Sequence, residues 1–165
     1  REEHRVVAAH EQAGHLVGEV GHGNAERAVV AITGGINAIA AGENISGEQD
    51  FDIVINDNIL TVIQPDLAKW GGLSKTIPIA KNIIAAGKRY CPHYLGGGIG
   101  LVASAHALAA VGGDGILEVD INPNPLRTNL VGDMLTLVPG MASLGSLTGL
   151  GYEPDLATLK KYQAL

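Results

Sequence analysis

Ile36-Asn37-Ala38-Ile39-Ala40-Ala41-Gly42-Glu43, Leu60-Thr61-Val62-Ile63-Gln64-Pro65-Asp66, Arg89-Tyr90-Cys91-Pro92-His93 and Gly115-Ile116-Leu117-Glu118 share one pattern, a short apolar run that closes on an ionisable residue. The four closing residues lie 23, 27 and 25 positions apart. One βα unit has that length: a strand of about five residues, a helix of roughly ten to fifteen and two short loops. Parallel strands joined by helices present the same end to the same side. Glu43, Asp66, His93 and Glu118 are therefore expected to converge on one patch, and in a closed βα barrel that patch is where active sites are built. The expected fold is α/β, a parallel TIM-type barrel. At 165 residues the chain is short of the roughly 200 that a complete eight-unit barrel needs, so an incomplete barrel is expected.

The segments between the strand ends fit this reading. Glu48 to Asn58 predicts a helix with Phe51, Ile53, Val54 and Ile55 on its apolar side. Leu73 to Gly87 predicts a second, with Pro78 in or near its first turn. A small-residue helix over Leu101 to Val111 follows the glycines Gly96-Gly97-Gly98, and its N-terminal amides are placed to meet an anion. Asn122-Pro123-Asn124-Pro125 is expected to break regular structure, and Pro154 to Gln163 to close the chain as a helix. Residues 36–121 thus carry the βα units and residues 122–165 a covering segment.

Residues 1–35 are the least legible and stand as a remnant of earlier barrel units. A helix is expected over Glu2 to Gln12, a short strand over Leu16 to Val20, a turn at Gly21-His22-Gly23-Asn24 and a helix from Ala25 to Ile32 ending at Gly34-Gly35. His10-Glu11-Gln12-Ala13-Gly14-His15 invites comparison with the zinc-protease pattern HExxH, but its second histidine comes one residue late. Five residues advance a helix by about 500°, so the imidazoles fall roughly 140° apart instead of on one face.

Composition narrows the function classes. Twenty-three glycines with one Phe and one Trp suit an α/β chain with many tight βα turns. A net charge of -6, with no basic run longer than a pair such as Lys160-Lys161, argues against nucleic acid as a partner. No apolar run reaches the roughly 18 residues of a membrane span, and the first residues lack the order of a secretion signal. Cys91, the only cysteine, excludes an intrachain disulfide and reads as a small buried hydrophobe. A cytoplasmic homo-oligomer acting on a small-molecule carboxylate is the expectation.

Chemistry follows from the strand ends. Glu43, a carboxylate at a strand end, is a natural ligand for a hard cation such as Mg²⁺. His93 comes one strand after Asp66, and an Asp–His hydrogen bond there holds one imidazole tautomer and makes the other nitrogen a general base. Glu118 and Asp120 both close the fourth run, and only one of them is expected to face the barrel mouth. A rival reading takes Gly98-x-Gly100-x-x-Ala103, with Glu118 and Asp120 about 20 residues on, as a dinucleotide fingerprint. The preceding segment, Lys88 to Tyr94, is basic and proline-broken where that fingerprint needs a buried strand.

Ala41-Gly42-Glu43-Asn44, Gln64-Pro65-Asp66 with Gly71-Gly72, Pro92-His93 with its glycine loop, and Leu117-Glu118-Val119-Asp120 before Asn124-Pro125-Leu126 resemble, in order and spacing, the C-terminal half of the enolase superfamily. The mandelate racemase/muconate lactonizing enzyme family, and its mandelate racemase-like group, is the nearest pattern. The resemblance implies the C-terminal part of a modified (β/α)₇β barrel with Mg²⁺ at its mouth. It implies Glu43 as the third metal carboxylate, His93 paired with Asp66 as the acid/base at the carbon α to a substrate carboxylate, and Glu118 as a protonated donor to that carboxylate. Dehydration, or racemisation and epimerisation, of an acid sugar or hydroxylated amino acid would follow. The family's Lys-x-Lys base and Glu-Glu-Pro strand end have no counterpart here, and Glu19 stands as a candidate for the first metal acid. The family's N-terminal capping domain is not in the sequence either, and the 165 residues alone are expected to be inactive. The alternatives are a non-catalytic half-barrel that needs a partner chain and a dinucleotide-binding module.

Overall fold

A computed structural model describes residues 4–5, 29–33, 36–120, 122–131, 136–138, 141–144, 148–151 and 153–163. In chain order the strands are β1 (His4–Arg5), β2 (Val29–Thr33), β3 (Ile36–Ala41), β4 (Val62–Ile63), β5 (Arg89–Tyr90), β6 (Thr136–Val138) and β7 (Met141–Ser143). The helices are α1 (Glu48–Asn56), α2 (Gly72–Ala85), α3 (Gly98–Val111), α4 (Pro125–Val131) and α5 (Leu156–Lys161).

β3, β4 and β5 form a parallel sheet, with Ala40 opposite Val62 and Val62 opposite Arg89. α1 and α2 are the crossovers between them, as the spacing of the strand ends requires. Pro65 and Pro92 lack the N–H that a ladder needs, so regular strand stops early. Main-chain bonding still continues toward the strand ends. The Cys91 N–H donates to Ile63 O at 3.1 Å, the His93 N–H to Pro65 O at 3.2 Å and the Glu118 N–H to Pro92 O at 3.4 Å. The expected fourth strand is thus present as a single bridge at Leu117 beside the β5 extension. The architecture is part of a TIM-type barrel.

The apolar sides of α1, α2 and α3 meet over the sheet. In α1, Phe51 and Ile55 are buried at a spacing of one helical turn, and in α2 Thr76, Ile79, Ala80 and Ile83 line one stripe. α3 is buried on several faces, from Leu101 through Ala105 and at Ala107 and Leu108, because α2 packs on it from one side and α4 from the other. Ile63, Tyr90 and Leu117 close this core from the strand side. Pro78 is the seventh residue of α2, two turns in, and not near its start as the sequence suggested.

Three other expectations change. Val29–Thr33 is a strand and not the end of a helix; it pairs antiparallel with β3, Val29 opposite Ala40 and Thr33 opposite Ile36. Its β-branched run resists helix, and Gly34-Gly35 between the paired ends is the sequence signature of a two-residue hairpin. β2 therefore adds an antiparallel edge to the parallel sheet. His4–Arg5 pairs with β7 in a second, antiparallel sheet of order β1-β7-β6 and is not helical. Asn124-Pro125 opens a helix instead of breaking one: the Leu126 N–H donates to Asn124 Oδ1 at 3.0 Å, and proline fits the first helical position. The rest of the helix expected over residues 2–12, the strand at 16–20, the turn at 21–24, His10, His15 and Glu19 lie outside the described residues. Among the described residues no helix is long and apolar enough to cross a membrane.

Lys88 locks the first two βα units together. Its side chain is 11% exposed, and its Nζ donates to Val54 O at 2.8 Å, Asp57 O at 2.7 Å and Asp57 Oδ1 at 3.2 Å. It thereby satisfies carbonyls that the C-terminus of α1 would leave orphaned. Lys88→Met, which keeps the stem and removes the donor, is expected to cost about 2 kcal/mol of stability in urea denaturation.

Candidate active site

Gly42 makes the turn that aims the first site residue. It has φ of 134°, and a Cβ there would come within 2.9 Å of Gln64 N, so only glycine lets β3 finish flush against β4 with Glu43 at the rim. Asp66 and His93 follow the prolines that end β4 and β5, and both are buried.

The Asp66 carboxylate is fixed first by its own turn. Oδ1 accepts the Ala68 N–H at 2.8 Å and the Lys69 N–H at 3.2 Å, which leaves Oδ2 facing His93 Nδ1 at 3.1 Å. His93 Nε2 lies 2.7 Å from Glu43 Oε2 and 3.9 Å from Glu118 Oε2. The ring thus sits between carboxylates from the strand ends on either side. A ring protonated on both nitrogens donates to Asp66 and Glu43 together. Once Glu43 is displaced from Nε2, Asp66 still holds the Nδ1 proton, and Nε2 is the atom that can take or deliver one. The four residues read from the strand ends therefore meet at one place.

Glu118 and Asp120 have different partners, although residues two apart would share a face of a regular strand; beyond the single bridge at Leu117 the chain is no longer strand. Burial pushes the Glu118 carboxyl up; a positive charge on His93 opposes this, while Glu43, Asp120 and Asp66 add to it. Gln64 Nε2 lies 3.5 Å from Glu118 Oε2. Asp120 faces away. The Asn122 amide at 2.9 Å, with further help from the Asn122 side chain and Arg127, holds its carboxyl below the usual range. Arg127, itself buried, reaches Asp120 Oδ2 at 3.3 Å and also donates to Asn122 O.

Two neighbouring features do other work than the sequence suggested. Tyr94 folds back over the glycine loop, and a Cβ at Gly100 would meet its Cζ at 2.3 Å. Its hydroxyl lies against Gly96 and Gly100, so at the start of α3 a side chain of the protein occupies the place expected for an anion. Gly98 packs against Val131, where a Cβ would meet Cγ1 at 2.3 Å. The glycines of the dinucleotide-like pattern are thus used in contacts within the chain. Cys91 is buried, burial pushes its thiol up, and its sulfur receives the Ile116 N–H at 3.5 Å; it is packing, not a nucleophile.

Lys69 is joined to the site by contacts that the sequence did not reveal. Nζ donates to Asn44 Oδ1 at 2.9 Å, and Asn44 Nδ2 donates to Glu43 Oε1 at 3.2 Å. The spacing of Asn44 and Lys69, each next to or within one turn of a strand-end acid, is the only signal that marks them. As for a cation, no group of three or more His, Cys, Asp or Glu among the described residues is arranged to hold one. Glu43 supplies one oxygen ligand, where Mg²⁺ takes about six with one or two protein carboxylates, so the described residues do not by themselves form the Mg²⁺ site.

Comparison with known proteins identifies the family. Residues 22–158 match the model of the enolase C-terminal domain-like family. A mandelate racemase/muconate lactonizing enzyme from Bordetella bronchiseptica RB50 has a solved structure 54% identical to the chain, with a TM-score of 0.71, over 75% of this chain and 35% of that one. D-galactarolactone cycloisomerase of Agrobacterium fabrum is 28% identical over 76% of this chain and 35% of its own length. Arabinonate dehydratase of Saccharolobus solfataricus is 27% identical over 76% of this chain and 33% of its own. The chain spans about a third of the length of these curated relatives. It belongs to the enolase C-terminal domain-like family, among the mandelate racemase/muconate lactonizing enzymes.

Proposed function

We propose that the protein containing this chain removes the proton α to the carboxylate of an acid sugar or related hydroxy-carboxylate, in a Mg²⁺-dependent reaction that ends in dehydration or in racemisation or epimerisation. The observation that carries this reading is the ring of His93, held at Nδ1 by Asp66 and open at Nε2 once Glu43 is displaced. Relatives named arabinonate dehydratase and D-galactarolactone cycloisomerase support the substrate class.

The α C–H bond breaks, its proton goes to His93 Nε2 and its electron pair enters the carboxylate as an enediolate. Such a proton is very weakly acidic, so the developing charge has to be met as it forms. Glu118, whose carboxyl burial pushes toward the protonated form, donates a hydrogen bond to a carboxylate oxygen. Mg²⁺, with Glu43 as one ligand and the others from outside the described residues, supplies further charge stabilisation when bound. In a dehydration the electron pair then expels the β-hydroxyl, which leaves with a proton as water, and the enol becomes a 2-oxo acid. In a racemisation the proton returns to the opposite face of the same carbon.

Incubating the complete protein with Mg²⁺ and arabinonate, D-galactonate or D-galactarolactone tests this. The expected result is a 2-oxo acid or an epimer from at least one of them, lost on adding EDTA. Unchanged substrate throughout, or turnover indifferent to EDTA, contradicts the proposal.

A further inference from the structure

Lys69 is connected to both carboxylates that flank His93. Its main-chain N–H donates to Asp66 Oδ1 at 3.2 Å, and its Nζ, through Asn44, reaches Glu43 Oε1 by bonds of 2.9 and 3.2 Å. Asp66 Oδ2 and Glu43 Oε2, the two oxygens left over, are the ones that face the ring nitrogens at 3.1 and 2.7 Å. A carboxylate tied through one oxygen keeps the other aimed at the ring, and the tie on Glu43 Oε1 limits how far that carboxylate swings when it gives up Nε2 to substrate.

We propose that Lys69 is a positioning residue of the active site, acting through Asn44 to orient the Glu43 carboxylate. The claim rests on His93 being the acid/base. Asp66 is held by two main-chain amides that no side-chain substitution removes, whereas the orientation of Glu43 depends on the side chains of Asn44 and Lys69. Both of those side chains are exposed, so the brace contributes little to stability and its effect should fall on geometry.

The test is a set of variants in the complete protein, assayed with whichever of the acid sugars above it turns over. Lys69→Met keeps the main-chain bond to Asp66 and loses the link to Glu43. It is expected to lower kcat about tenfold with KM changed by less than about twofold, and Lys69→Arg, which can still reach Asn44, to recover most of the loss. Asn44→Asp still accepts from Lys69 but cannot donate to Glu43. It should resemble Lys69→Met, and the double variant should be no worse than either single one. A kcat unaffected by Lys69→Met, or a raised KM with kcat retained, overturns the inference, the latter by making Lys69 a substrate contact. Crystal structures of the wild type and Lys69→Met give an answer independent of turnover. Glu43 Oε2 is expected to leave His93 Nε2 in the variant, and an unmoved carboxylate overturns the brace even where the acid/base reading stands. Absence of turnover in the wild type, with the carboxylate displaced in the variant, would instead overturn the acid/base reading and leave the brace as geometry alone.

Discussion

His93→Asn in the complete protein is expected to lower turnover by roughly 10²–10⁴-fold, the usual contribution of a positioned general base. Asparagine can still donate to Asp66 from a position near Nδ1, and the main-chain N–H of residue 93 keeps its bond to Pro65 O. The fold should therefore survive, and thermal melting of the variant should match the wild type to within a few degrees. What asparagine cannot do is take up a proton at the place of Nε2, between Glu43 and Glu118. Steady-state kinetics beside a melting curve separates the two effects. A variant that melts normally and turns over normally would remove His93 from the chemistry.

Gly115→Ala is expected to have the largest effect on folding. A Cβ at residue 115 would lie 1.9 Å from Tyr90 O and 2.9 Å from Leu108 Cδ1. The first of these is main chain of β5, which cannot move aside without opening the seam between β5 and residues 115–120. That seam carries the Glu118 N–H to Pro92 O bond, which sets Glu118 beside His93. Overpacking usually costs about 1–3 kcal/mol, and a backbone clash this close belongs at or beyond the upper end. Loss of soluble protein, or a urea midpoint lowered by that amount, is the expected readout. Wild-type stability would show that the seam opens at little cost.

The convergence of the four strand-end residues was legible because it follows from periodicity. Each of Glu43, Asp66, His93 and Glu118 ends an apolar run, and parallel topology alone brings such residues together. α1, α2 and α3 were legible for the same reason: their apolar residues repeat at helical spacing or their composition leaves no other choice. What failed was local chemistry read without its partner. Val29-Val30-Ala31-Ile32 reads as the end of a helix from Ala25 when it is weighed apart from Ile36–Ala41, the strand it pairs with. Asn124-Pro125 reads as a breaker by composition, although asparagine followed by proline equally well caps and opens a helix. Tyr94 at the start of α3 was illegible, since nothing in the spacing of glycines tells whether a ligand or a side chain covers them. Lys69 was hidden for a related reason. An exposed lysine acquires its role only from Asn44, 25 residues earlier and at the end of the neighbouring strand.

The central claim is that His93 exchanges the proton on the carbon α to a substrate carboxylate. Proton NMR of the complete protein with Mg²⁺ and the acid sugars in D₂O tests it most directly, because exchange is visible whether the reaction ends in dehydration or in epimerisation. Loss of the α-proton signal, or deuterium in the product at that carbon, is expected with the wild type and neither with His93→Asn. Turnover that leaves the α-proton in place, or exchange that persists in His93→Asn, would contradict it.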